Sequence, residues 1–208
     1  MQIQKMRFWT FQKNILIGGW ENNGWSGETM QRILGNLYIG SDQDYKNMLG
    51  CMVALPRGEW RSLALQDPWA VVHAAKEPYH RQLLGYTGRG APKDHPEYLF
   101  AIRGDRMFCN LIDGESSEYI DDTLIDTMLH YIHHKLYSGY SVLVHCNHGI
   151  SRSPTIALLY LIKYHPGFVT NLDGDGIITM MQRLYSLYQP AEGMKEYLHK
   201  NYIRLQKT

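Results

Sequence analysis

Short apolar runs of changing period divide the chain. "ILGNLYIGS" (Ile33 to Ser41) predicts strand and turn, and "WAVVHAAKEP" (Trp69 to Pro78) predicts a buried strand that ends before Pro78. "RMFCNLID" (Arg106 to Asp113) predicts a further strand, and from Asp121 to Ser138 apolar positions recur at helical spacing. "YSVLVHC" is a short, continuously apolar strand, whereas "SRSPTIALLYLIKY" predicts a buried helix with Pro154 in its first turn, where a missing N–H does no harm. "GIITMMQRLYSLY" and "EGMKEYLHKNYIRLQ" predict two more helices. The glycines and prolines of "YHRQLLGYTGRGAPKDHPEYL" predict a long shaped loop. Strands alternating with helices imply an α/β fold, a central and mostly parallel sheet flanked by helices. Ligands of such sheets bind beyond the carboxyl ends of the strands.

With 208 residues and 44% hydrophobic content, the chain supports one core and one domain. The segment before about Met30, rich in Gly, Asn and Trp, predicts an irregular arm (1–32) packed on a domain that spans 33–208. With 21 basic and 20 acidic side chains and a net charge of +1, no global attraction to nucleic acid or an anionic membrane is expected, so any basic site is local. Gln12, Lys13 and Asn14 interrupt the first apolar residues before they reach signal-peptide length. No apolar run approaches the roughly 20 residues that cross a bilayer. Cys51, Cys109 and Cys146 match neither a disulfide framework nor paired zinc ligands. A soluble protein of the reducing cytoplasm, without a membrane partner, is the expectation.

The chemistry concentrates in "VHCNHGISRSP". A cysteine that ends a strand, followed by a loop closing into a helix N-terminus, makes an anion site, because successive backbone N–H groups converge and the helix dipole favours negative charge. The same field favours the thiolate of Cys146, the nucleophilic form of the side chain. Arg152 at the helix start has the fork geometry to hold two phosphate oxygens. Gly149 lets the backbone bend close to a ligand. Ser153 offers a hydroxyl to the sulfur as a leaving group, and His145 fixes the loop. A Cys and an Arg at this separation are weak evidence alone; the full set between an apolar strand and an apolar helix is demanding.

That loop resembles the phosphate-binding loop of the cysteine-dependent protein tyrosine phosphatase superfamily, in its dual-specificity branch. "ILGNLYIGS", "VVHAAKEP" and "QPAEGMKEYL" are similar to other segments of that branch, so the likeness covers roughly Ile33 to Leu205. The resemblance implies a dual-specificity phosphatase-like fold and a phosphomonoesterase acting on phosphotyrosine or phosphoserine/phosphothreonine in proteins, without metal or cofactor. Cys146 would be the nucleophile that forms a phosphocysteine, Arg152 would bind the phosphoryl group, and the backbone of Asn147, His148, Gly149, Ile150, Ser151 and Arg152 would be the cradle. Departure of an alkoxide or phenoxide needs an acid and hydrolysis of the thiophosphate needs a base, so one carboxylate serves both steps. Asp113 is the candidate, ending its strand at about the family's usual interval before the cysteine; Asp105, Glu115, Asp121 and Asp122 compete. A turn role within "DGES" is the alternative for Asp113.

Two departures from the family pattern stand out. Ala191 occupies a place where Asn is common, and His148 resembles the "HC-x-H-G" loop of the RNA 5′-triphosphatases of capping enzymes. An RNA 5′ end is thus an alternative partner to a phosphorylated protein, although "SRSP" replaces the "NRTG" of those enzymes. A catalytically weak phosphate-recognition module is the third reading. Lys76, Arg81 and Arg89, with His80 and Lys93, lie in the loop from Lys76 to His95 and predict a basic wall beside the cradle. "NLDGDGIITMMQ" (Asn171 to Gln182) has the spacing of a calcium-binding loop but closes on Gln rather than Glu. His130 and His134 share a helix face, a weak metal pattern without a third ligand. Tyr160, Tyr164, Tyr185 and Tyr188 fit helix packing.

Overall fold

The computed structural model describes residues 30–50, 52–54, 60–62 and 68–207; most of the predicted arm lies outside them. Eight described strands form one mixed sheet: β1 (Gln31–Leu34), β2 (Leu37–Gly40), β3 (Met52–Ala54), β4 (Trp60–Ser62), β5 (Pro68–His73), β6 (Phe100–Arg103), β7 (Arg106–Cys109) and β8 (Ser141–His145). The helices are α1 (Asp42–Gly50), α2 (Arg81–Leu84, preceded by a wide helical turn at Lys76–His80), α3 (Asp122–Tyr137), α4 (Arg152–Tyr164), α5 (Gly174–Leu184) and α6 (Glu192–Gln206).

The sheet is parallel at its centre, in the order β2, β8, β5, β7, and antiparallel strands close its edges. Around β5 the sheet forks: Trp69 and Pro68 pair antiparallel with β4, while Val71, Val72 and His73 pair parallel with β7. Alternation divides the central strands between two cores. Leu37, Ile39, Ala70, Val72, Val142 and Val144 face the larger one, which α3, α4, α5 and α6 cover. Tyr38, Trp69, Val71 and Leu143 face the smaller one, closed by Tyr45 and Met48 of α1. One transverse row runs level across the carboxyl ends: Gly40 pairs with His145, His145 with His73, and His73 with Phe108. The loops that carry the predicted chemistry leave the sheet at this row.

Local sequence explains the elements. Ser41 and Asp44 cap α1 reciprocally, the Asp44 carboxylate accepting from the Ser41 amide at 2.6 Å and the Ser41 hydroxyl accepting from the Asp44 amide at 3.3 Å. Asp121 caps α3 through the amides of Thr123 and Leu124. Pro154 sits in the first turn of α4, and that helix is buried from Arg152 to Ile162. Tyr160 and Tyr188 are buried, and Tyr164 and Tyr185 pack against the same core, although α5 ends at Leu184 and the helix predicted through Tyr188 stops short of both Tyr185 and Tyr188.

The segment with calcium-loop spacing is a helix cap. α5 begins at Gly174, capped by Asp173, whose carboxylate accepts from the Gly176 amide at 2.8 Å. Positions 174–182 therefore rise along a helix instead of encircling an ion. His130 and His134 lie exposed on α3, and among the described residues no three His, Cys, Asp or Glu side chains are grouped to hold a metal. No described helix is long and apolar enough to cross a membrane.

Candidate active site

Cys146 follows β8 and is 1% exposed, at the bottom of a loop that ends where α4 begins. The Gly149 amide donates to Cys146 Sγ at 3.3 Å, and Ser153 Oγ lies 3.4 Å from the same sulfur. The Gly40 carbonyl accepts from both the Ser153 hydroxyl (3.0 Å) and the Cys146 amide (3.3 Å). The sulfur, the serine and the end of β2 thus form one unit. Gly149 has φ +77°, and a Cβ there would lie 3.1 Å from both the Gly40 carbonyl carbon and the Ser41 amide nitrogen. Only glycine meets both conditions without movement of the backbone. Among the described residues, the amides of Asn147, His148, Ile150 and Ser151 donate to no protein acceptor, so four donors of the loop stay available to an anion.

The buried Arg152 closes the loop. One terminal nitrogen donates to the Leu111 carbonyl (3.2 Å) and the other to the Asn147 side-chain oxygen (2.6 Å), while Nε faces Asp113 Oδ2 at 3.6 Å. Asp113 lies on the strand-to-helix connection after β7, where its Oδ1 accepts from the Ser151 hydroxyl at 2.7 Å. Three of its four competitors are elsewhere or otherwise engaged, and the fourth, Glu115, is exposed in the same turn. Asp105 is buried in the β6–β7 turn against Lys135, Asp121 caps α3, and Asp122 accepts from Tyr197 at 2.6 Å. The turn containing Asp113 is fastened to α6: the Gly193 amide donates to the Gly114 carbonyl (3.1 Å), and Glu196 accepts from the Ser117 amide (2.8 Å). Ala191 lacks the side chain expected there, yet its backbone amide donates to Ser151 Oγ at 2.9 Å.

Beneath the loop, His145 is fully buried, and its Nε2 lies 2.6 Å from Nδ1 of the equally buried His73. Tyr45 stacks on His145 (4.7 Å between ring centroids), and Phe108 stacks on His73 (4.5 Å). Burial pushes the His145 imidazole down to about 4 and holds His73 well below the ordinary imidazole range. Both rings are neutral near pH 7, so one N–H is shared between them without a buried charge. Sequence reasoning missed His73. Its partner is 72 residues away, and only the strand register brings the two together.

The long loop borders the cradle, for the Asn147 side-chain amide donates to the Glu77 carbonyl at 2.9 Å and the Lys76 amide to the Leu111 carbonyl at 2.9 Å. Two of its expected basic contacts turn inward instead. Arg81 grips Glu77 through two contacts of 2.6 Å and packs over Tyr86, and Lys76 donates to the Arg89 carbonyl at 2.5 Å. The Arg89 and Lys93 side chains are exposed. Buried His80 ties the loop to the Glu97 carbonyl at 3.0 Å.

Residues 95–171 match the family model described as the dual specificity phosphatase catalytic domain. No curated protein sequence matches the chain. Among solved structures, DUSP15 is similar with a TM-score of 0.54 at 19% identity, over 87% of this chain and 94% of that one. Human DUSP28 is similar with a TM-score of 0.52 at 15% identity, over 87% and 97% of the respective chains. A mouse putative dual specificity phosphatase, solved in complex with zinc tungstate, is similar with a TM-score of 0.52 at 16% identity, over 89% and 96%.

Proposed function

We propose that the chain, whose residues 95–171 match the dual specificity phosphatase catalytic domain and whose fold is similar to that of such proteins, is a member of the dual-specificity branch of the cysteine-dependent protein tyrosine phosphatase superfamily and hydrolyses phosphoproteins through a phosphocysteine intermediate. In the first step Cys146 Sγ attacks phosphorus; the S–P bond forms, the P–O bond to the substrate breaks, and Asp113 gives a proton to the departing oxygen. In the second step Asp113 takes a proton from water, whose oxygen bonds to phosphorus as the S–P bond breaks. Arg152 and the loop amides neutralise the phosphoryl oxygens in both steps. Ser153 Oγ turns its single proton from the Gly40 carbonyl to the sulfur as the negative charge returns, and His145, neutral and paired with His73, holds the end of β8 in place.

The observation that carries this reading is the place of Asp113, with Oδ1 bonded to Ser151 at 2.7 Å and Oδ2 3.6 Å from Arg152 Nε. A module that only bound phosphate would need neither this carboxylate nor the thiol. The test is phosphate release from phosphotyrosine, phosphoserine and phosphothreonine peptides and from a small aryl phosphate, with 5′-triphosphorylated RNA as comparison. Turnover of phosphopeptides that vanishes in Cys146→Ser, while that variant still binds an oxyanion such as tungstate, supports the proposal. Binding without turnover in the wild-type protein leaves the recognition module instead, and release only from RNA moves the substrate class.

A further inference from the structure

We infer that Ser151 is a positioning residue for the general acid, and that α6 sets its direction through the Ala191 amide and the turn fastened by Gly193; this rests on the reading of Asp113 as the acid. A serine hydroxyl has one proton and accepts as well as donates. At Ser151 the accepting side is occupied by the Ala191 amide (2.9 Å), so the proton points at Asp113 Oδ1 (2.7 Å). Oδ1 is thereby committed as an acceptor. Oδ2 lies 3.6 Å from Arg152 Nε, beyond a hydrogen bond, and is the oxygen left to carry the transferable proton. It gives that proton up as the P–O bond breaks and recovers one from water as the S–P bond breaks.

The carboxylate is steered from a second side as well. The Gly193 amide bonds the Gly114 carbonyl, and a Cβ on Gly193 would lie 2.6 Å from that carbonyl oxygen and 2.8 Å from the Ser116 carbonyl oxygen. Helix and acid turn therefore meet backbone to backbone. Glu196 and Lys200 continue the fastening along α6 through the Ser117 amide (2.8 Å) and hydroxyl (3.0 Å). The loop amide count is unaffected by this arrangement, because Ser151 uses its side chain here.

The experiment compares turnover of phenyl phosphate, whose leaving group needs a proton, with that of 4-nitrophenyl phosphate, whose leaving group needs much less. General acid catalysis is worth about 10²- to 10⁴-fold, and misdirecting the acid forfeits part of that. Ser151→Ala is expected to lower kcat on phenyl phosphate about 10-fold more than on the nitrophenyl ester, with Ser151→Thr restoring the ratio. Gly193→Ala, which leaves the cradle sequence untouched, is expected to shift the ratio in the same direction. A ratio equal to the wild-type value in Ser151→Ala or in Gly193→Ala overturns the inference. A wild-type protein that hydrolyses neither ester refutes the phosphatase reading itself, a different result from an active protein whose selectivity does not move.

Discussion

Gly149→Ala tests the packing of the cradle against the end of β2. The residue sits at φ +77°, and its missing Cβ would lie 3.1 to 3.2 Å from backbone atoms of Gly40 and Ser41. Left-handed backbone costs an L-residue about 1 to 2 kcal/mol. A forced contact with atoms that cannot swing aside adds about 1 to 3 kcal/mol, as overpacking does elsewhere. The sum, about 2 to 5 kcal/mol, corresponds to a fall in Tm of about 5 to 15 °C in a domain of this size. Because the neighbours are the corner that holds Ser153 and the Cys146 amide, relief of the contact moves the sulfur, and kcat/KM is expected to fall by at least about 10-fold, since ångström-scale misplacement costs up to about 100-fold. Two other glycines separate the contributions. Gly35 has φ +53° with nothing within 4 Å, so Gly35→Ala isolates backbone strain; Gly193, with no left-handed φ, isolates contact. Urea melts and aryl phosphate kinetics on the three variants read both effects. If Gly149→Ala is no less stable than Gly35→Ala and retains full activity, the account of the corner is wrong.

Replacing Asp113 with Asn is expected to lower turnover of poor leaving groups by about 10²- to 10⁴-fold and of activated esters by less, measured as a leaving-group series; an equal loss throughout would assign the acid elsewhere. Stability is expected to fall on acidification between 6.5 and about 4, because in that window the unfolded chain protonates at His145 while the folded one refuses the proton. The integrated loss for that residue is about 3 kcal/mol, and a His145→Gln variant whose urea midpoint shows the same pH slope would refute it. Joint replacement of Arg89 and Lys93 with Gln is expected to raise KM for acidic phosphopeptides a few-fold, and to alter small aryl ester hydrolysis less; parallel changes for both substrates would remove these residues from the substrate wall.

The cradle was legible because every requirement of an anion loop is local: an apolar strand, a glycine bend and a helix start within a dozen residues of Cys146. Candidate Asp113 was legible through its interval before Cys146, although β7 ends at Cys109 and the predicted strand does not run on to Asp113. What escaped depends on distance or on backbone. His73 joins the site by register alone, and the amide of Ala191 has no signature in a side-chain alphabet. Helix α1, "DQDYKNMLG", shows only a short apolar stripe, Tyr45, Met48 and Leu49, although Ser41 and Asp44 spell its capping box. The inward turn of Arg81 was available in principle, since Glu77 and Arg81 are four residues apart, the spacing that pairs charges on one helical turn.

The level row of Gly40, His145, His73 and Phe108 acts as a surveyor's datum for the chemistry. The corner that receives Gly149, the strand that delivers Cys146 and the ring beneath it are all measured from it. Segments that leave the row, such as 74–99 and 110–121, can lengthen or shorten and so reshape the walls of the site without lowering or tilting its floor. A slip of one residue in β5 or β8 does the opposite: it spares every loop sequence, yet turns one of the paired imidazoles to the other face of the sheet. Damage to this site can therefore begin in the middle of an apolar strand, far from the cradle itself.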